Sequence, residues 1–265
     1  MTPRRRAFAR CGALCVLLAC GTARAQDASA ADDSPSVTPY RPTVSDPATL
    51  SAPGWVELES GVAFVRDADA TRTASVPYLI KYAFDADRGI LIGGDAWIDA
   101  NPRGARGTHG VGDTFVEWKQ RFAVDEHSAF GIEAGAVAPT APDALGNGKP
   151  AYVATGIYSV DFGATHLDLN AGGTHFTRNA PHASAWQSAW AAAVSRPFND
   201  TFGATAELSG SAQRGAGHAH QLLGAITYNP ARRCALDAGL AYGLDRGGHS
   251  REIFLGATVL VGRLR

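Results

Sequence analysis

Thr73-Ala74-Ser75-Val76-Pro77-Tyr78-Leu79-Ile80-Lys81-Tyr82-Ala83-Phe84 places apolar side chains at 74, 76, 78, 80, 82 and 84, with Thr73, Ser75 and Lys81 between them. A period of two is that of an extended strand whose two faces meet different surroundings. One face suits oil and the other, with its lysine, suits water. Gly110 to Phe122 repeats the pattern, with Val116, Trp118 and Phe122 on one side and Asp113, Glu117, Lys119 and Arg121 on the other. Four charges on one strand face are costly inside a sandwich core and natural beside a wet lumen.

Outward from these two stretches, segments of similar period recur between clusters of Gly, Pro, Asn and Asp. The pattern predicts strands over 54–66, 73–84, 89–98, 110–123, 128–138, 150–161, 165–176, 184–195, 201–212, 220–229, 233–244 and 251–263. That makes about twelve, an even number as a single-chain bacterial barrel requires. The connections alternate. Short turns are expected at 85–88, 124–127, 162–164, 196–200 and 230–232, and longer loops at 67–72, 99–109, 139–149, 177–183, 213–218 and 245–250. Short periplasmic turns and long external loops are the habit of outer-membrane barrels, and the alternation puts both termini on the periplasmic side. The fold class read here is all-β: an antiparallel transmembrane β-barrel of about 12 strands. A soluble lipocalin-like or streptavidin-like barrel is the structural rival, but it would need neither twelve strands nor charges opposite its apolar face.

The first residues set the compartment. Arg4, Arg5, Arg6 and Arg10 form a basic start, residues 11–20 are apolar, and Ala23-Arg24-Ala25 offers a cleavage site before Gln26. The apolar run is about half of the roughly 20 residues that a spanning helix needs. Residues 1–25 are therefore expected to be a cleaved signal peptide. Leu17-Leu18-Ala19-Cys20 also resembles a lipoprotein box, with Leu18 where a smaller residue is usual, which leaves lipidation of Cys20 as a second reading. Residues 26–53, polar, Pro-rich and without periodicity, are expected to be a flexible periplasmic segment, and 54–265 the barrel. Cleavage would leave Cys234 as the only cysteine, expected as a small apolar residue on a strand.

Removing the five arginines of the leader leaves 19 basic residues against 25 acidic, a formal charge of −6. Nucleic-acid binding calls for a basic surface, so no nucleic acid is expected as a partner. After the leader no stretch is long enough for a spanning helix, and a membrane protein without such helices must be a closed barrel.

Catalytic and metal motifs are sparse. HExxH, CxxC and GxSxG do not occur, and Gly146-Asn147-Gly148-Lys149 departs from a phosphate loop at Asp143 and Pro150. His218 with His220, and His166 with Asp168, offer two metal ligands each, fewer than a site needs. His249-Ser250 invites comparison with the outer-membrane phospholipase, whose pattern Arg251 and Glu252 do not continue. No enzyme activity, metal or cofactor is implied.

What remains is a set of polar residues on the inferred inner face. Glu57, Glu59, Lys81, Asp95 and Asp113 lie on the first strands, and Glu117, Lys119, Arg121 and Glu133 follow. Asp161, Asp168, Glu207, Arg233 and Asp237 complete it. These are the candidate lumen-lining residues, most of them expected to pair across the interior.

Arg41-Pro42-Thr43 through Gly61, Gly110-Val111-Gly112-Asp113, and Pro139-Thr140 followed by Leu145-Gly146-Asn147-Gly148 resemble the outer-membrane family of transporters of the meta-pathway of phenol degradation. In that family a Gly-x-Gly-Asp opens a charged strand, and a Pro-Thr-Gly with a downstream Gly-x-Gly surrounds a long loop. Ala141 stands where the family has its glycine, and the chain ends Gly262-Arg263-Leu264-Arg265 rather than in an aromatic residue. The resemblance implies an outer-membrane channel for small molecules, aromatic or otherwise hydrophobic. Outer-membrane lipid and the barrel-assembly machinery are the expected partners, and loops 99–109 and 139–149 the expected outer gate. A lipid-acting enzyme and a structural barrel with a closed lumen are the alternatives.

Overall fold

The computed structural model describes residues 35–177, 182–245 and 249–264, so the expected leader lies outside the described residues. Its strands are β1 (Trp55–Arg66), β2 (Arg72–Ala83), β3 (Arg88–Asn101), β4 (Thr108–Gly110), β5 (Thr114–Ala123), β6 (Ser128–Ala138), β7 (Ala151–Phe162), β8 (Thr165–Phe176), β9 (Trp186–Pro197), β10 (Phe202–Gln213), β11 (Gly217–Ala231), β12 (Cys234–Gly243) and β13 (Arg251–Arg263). Neighbours in sequence pair antiparallel from β5 to β13, and β3 joins β5. Closure comes from β1, which pairs with both β2 and β13, while β2 pairs with β3. The result is a closed barrel of twelve strands, with β4 a short addition on the end of β3.

The wall is sorted by the pleat. On β5 and β6, Val116, Trp118, Phe122, Phe130 and Ile132 are exposed outward, whereas Lys119 and Glu133 between them are buried inward. Aromatic rings gather outside at the turn end, where Phe84 stacks on Trp118, Phe130 lies against Tyr158 and Phe202 on Tyr228. Trp97, Trp186, Trp190 and Tyr242 form a second exposed group toward the loop end. Two aromatic girdles flanking an apolar band are what a bilayer asks of a barrel.

Two predicted boundaries shift. The strand expected over 110–123 is broken, because the chain leaves the ladder at 111–113 between β4 and β5. The Asp113 carboxylate there accepts the N–H groups of Ala141 and Asn147 at 3.0 and 2.8 Å, and Gly112 donates to the Asp95 carbonyl at 2.8 Å. The chain thus folds over the rim and ties down the 139–150 loop. The loop expected at 213–218 is tighter, because β10 and β11 stay paired as far as Gln213 and Gly217. Cys234 is buried at the start of β12.

The larger correction concerns residues 35–53. They are no loose tail: Tyr40, Ser45, Ala48, Leu50, Ser51 and Ala52 are buried, and Ala48 clusters with Ala129 of β6 and Ile157 of β7 on the inner wall. The segment enters at the turn end, where Gly54 precedes β1 and Leu264 follows β13, and it folds up inside the barrel. Gly89 on β3 makes room for it, since a Cβ at that position would lie 2.6 Å from Leu50 Cδ2.

If the outward face meets lipid, Ile132→Arg, placed half-way along β6, should destabilise the barrel folded in lipid vesicles by about 2–4 kcal/mol. Denaturant titration in vesicles of matched thickness checks this, and an unchanged midpoint would mean that the face is not lipid-exposed.

Candidate functional site

The site is the barrel interior, built from inward side chains of the wall and from the segment inserted among them. Carboxylates on two strands, β1 and β10, take up backbone donors of that segment. Glu57 accepts from Thr38 N at 3.0 Å, and Glu59 from the N–H groups of Tyr40 at 2.8 Å and Arg41 at 3.0 Å. Glu207, across the lumen on β10, accepts from Val44 N, Ser45 N and Ser45 Oγ at 3.2, 2.8 and 2.8 Å. On the β7–β8 side, Ala48 N donates to Ser159 Oγ, which in turn donates to Asp168 at 2.5 Å, and Asn170 exchanges hydrogen bonds with the backbone of Asp46.

Two lysines offset the charge. Lys81 pairs with Glu57 at 2.6 Å and with Glu59, and donates to the Thr38 carbonyl at 2.5 Å. Lys119 pairs with Glu133 at 2.7 Å and donates to the Pro47 carbonyl at 2.6 Å. Both ammonium groups lie over the Tyr40 ring, 3.8 and 4.0 Å from its centroid. The ring therefore sits between two buried cations, a geometry in which the attraction of a desolvated cation to a π face is strong. Arg41 reaches over β13 to β12 and forks onto Asp237, with both nitrogens 3.1 Å from its carboxylate.

The lumen on either side of the segment is open. Toward the loops a cavity of about 790 Å³ is bordered by Leu79, Leu91 and Phe115, by Glu117 and Glu133 on the wall, by Asp46 of the segment and by Asp67 and Asp69 at the mouth. Among the described residues neither lysine nor arginine borders it. Toward the turns a second cavity of about 370 Å³ lies among Thr38 to Thr43, His166, Asp168, Arg196 and Asn229.

The inner-face set named from sequence is thus divided in its tasks. Glu57, Glu59, Lys81, Lys119, Glu133, Asp168, Glu207 and Asp237 contact the inserted segment or its immediate partners. Glu117 borders the outer cavity. Asp95 and Asp113 hold the rim, Arg121 pairs with Asp87 of a turn at 3.2 Å, and Asp161 is exposed beside His166. Arg233 covers the Trp55 ring at 4.7 Å near the chain ends. The strand from Gly110 to Phe122 therefore does not present its four charges to one path. Sequence reasoning missed Tyr40, Arg41, Ser45, Asp46 and Ala48, whose polar surroundings in the chain resemble a linker.

His218 and His220 gain a third potential ligand in Asp245, 3.5 Å from His218 Nε2 and 3.0 Å from His220 Nδ1. The hydrogen bond from His220 holds the Asp245 carboxyl below the usual carboxylate range. The three ligand atoms lie within 4.8 Å of one another, which fits an open three-ligand metal site at the loop end of β11. His249 Nδ1 lies 2.9 Å from the Gly243 carbonyl oxygen, a backbone contact rather than one with a serine.

No protein-family model matches the sequence, and no curated relative matches it. Solved structures do share the fold. An outer membrane channel from Pseudomonas putida F1 superposes with a TM-score of 0.62 at 11% identity, over 80% of this chain and 97% of that one. The NanC porin gives 0.58 at 10% identity, over 78% and 100%. CymD, a monoaromatic hydrocarbon channel, gives 0.53 at 8% identity, over 80% and 90%. At such identities the likeness establishes an outer-membrane type of barrel fold.

Glu207→Ala should leave three donors of the inserted segment without an acceptor, at about 1–3 kcal/mol for each that stays buried. Hydrogen exchange at Val44 and Ser45 should then speed up by an order of magnitude or more while the β10 amides stay protected. Equal protection in both proteins would show that Glu207 does not hold the segment.

Proposed function

We propose that the chain is a small-molecule channel of the outer membrane whose resting lumen is closed by its own residues 35–53. The observation that carries this reading is the position of that segment, held by hydrogen bonds between two solvent-sized cavities of one continuous barrel. A structural barrel would have no use for a large outer vestibule. A lipid-acting enzyme would need serine, histidine and an orienting group in hydrogen-bond reach at one rim; His249 contacts the Gly243 carbonyl instead.

Residues 1–25 serve on this reading as the export leader, and the mature chain is passed to the barrel-assembly machinery and comes to rest in outer-membrane lipid. The turn end with both chain ends faces the periplasm, so the segment enters from that side. The loops at 102–113 and 139–150, tied together through Asp113, frame the outer mouth.

The cargo follows from the vestibule. Leu79, Leu91 and Phe115 offer apolar and aromatic surface, while Asp46, Asp67, Asp69 and Glu117 add acid, with no lysine or arginine beside it among the described residues. Neutral or cationic small molecules with an apolar body suit this lining, and anions do not. Aromatic compounds fall within that class; they are the cargo that the family resemblance implies, and the structural neighbour CymD is a monoaromatic hydrocarbon channel.

In planar bilayers the full-length mature chain should show low conductance, and deletion of 35–53 should raise it several-fold. Glu117→Gln in the deleted form should move the reversal potential toward anions, because a charge beside a confined path is poorly screened. Equal conductance with and without the segment would refute closure by residues 35–53.

A further inference from the structure

At the loop end of the barrel three arginines stand side by side. The register pairs Arg66 of β1 with Arg72 of β2 on one side and with Arg251 of β13 on the other, so the three occupy one row across adjacent strands. Their face is the outer one. Glu57, Glu59 and Ala63 on β1 are buried inward, and the residues between them in the pleat, among them Phe64, turn outward, as does Arg66. On β13 the exposed Ile253 and Leu255 lie on the same outward register as Arg251. All three arginines are exposed at their strand ends.

Like charges directly opposite one another across strands repel. Here two such contacts are made in a row. Among the described residues none of the three forms an ion pair. Arg251 lies 6.0 Å from the Tyr242 ring centroid, and Asp99, the one acid bordering the groove among the described residues, is not within ion-pair distance of any of them. The row thus carries an uncompensated repulsion that an external anion would relieve.

The groove between these side chains has a volume of about 420 Å³, with Phe64 and Ile253 next to the arginines on the side of the apolar band. Charge above and hydrocarbon below, on the outside of the wall, match an amphipathic anion lying along the barrel. Guanidinium groups are the side chains best suited to planar, forked recognition of phosphate.

We infer that Arg66, Arg72 and Arg251 form a binding site for the phosphorylated headgroup of a glycolipid in the outer leaflet, with its acyl chains against Phe64 and Ile253. This rests on the outer-membrane orientation proposed above, in which the loop end faces the cell exterior. Bound lipid at this point bridges β2, β1 and β13 and so spans the β1–β13 seam that closes the barrel.

The test uses the full mature chain in detergent and native mass spectrometry with diphosphorylated lipid A, the same lipid with its phosphates removed, and inorganic phosphate. The wild-type chain should retain diphosphorylated lipid A. Binding should fall about tenfold or more in Arg66→Gln/Arg72→Gln/Arg251→Gln, and by a similar factor for the dephosphorylated lipid, because charged hydrogen bonds are lost in both. Arg88→Gln, at a turn on the other end, should bind as wild type does, and heat-modifiable gel migration confirms that each barrel is folded. Undiminished binding by the triple variant overturns the site. Equal retention of the dephosphorylated lipid overturns the role of phosphate, and inorganic phosphate competing at equal concentration reduces it to a simple anion site. Fractionation of cells tests the location separately, so a mislocalised barrel that still binds lipid A through these arginines would overturn the outer-membrane reading and leave the site standing.

Discussion

Carboxylates accepting backbone N–H groups from an inserted strand of chain are the constraint on which the interior depends. Glu57, Glu59 and Glu207 are almost wholly buried, and a buried carboxylate without partners is prohibitively costly. Each is satisfied mainly by donors that belong to residues 38–45. The wall therefore cannot be dry and empty at mid-height, and the segment cannot be withdrawn without rehydrating these groups. Lys81 and Lys119 complete the arrangement by pairing with wall carboxylates and donating to carbonyls of the same segment.

The same constraint shapes the lumen on either side. Where the segment lies, Glu57, Glu59 and Glu207 are matched by its donors; above it, Glu117 and Asp46 face an acid-lined vestibule that no lysine or arginine borders among the described residues. An assembly held by charged hydrogen bonds in a confined interior is stable against thermal fluctuation yet open to competition from water once one edge is released. A closed channel needs both properties. The outer wall obeys a different rule, with apolar residues and two aromatic girdles facing out and only short turns and rim loops leaving the ladder.

Much of the wall was legible because its period is two and its faces differ sharply. Trp118 and Ile80 outward against Lys81 and Lys119 inward could be read without any structure. The strand around 110–123 was misjudged at its start because alternation does not reveal that Asp113 accepts hydrogen bonds from a loop nearly thirty residues later. The inserted segment was illegible for a related reason. Its prolines and small polar residues look like a linker, and its partners are remote: Ser45 bonds Glu207 across 162 positions and Arg41 bonds Asp237 across 196. A signal was nonetheless present, in more inward carboxylates than inward cations and in glycines such as Gly89 and Gly131 on wall positions that face Leu50 and Ala48.

The most direct test of the account is covalent. A Cβ built at Gly131 lies 3.4 Å from the Ala48 Cβ, close to the separation of about 3.5–4.5 Å that a disulfide spans. In cells producing Ala48→Cys/Gly131→Cys, mass spectrometry of the digested outer-membrane fraction should find the two peptides linked under mild oxidation, and the purified barrel should conduct more after reduction than before. Free thiols at both positions, readily labelled by a membrane-impermeant maleimide, would contradict the placement of residues 35–53 inside the barrel.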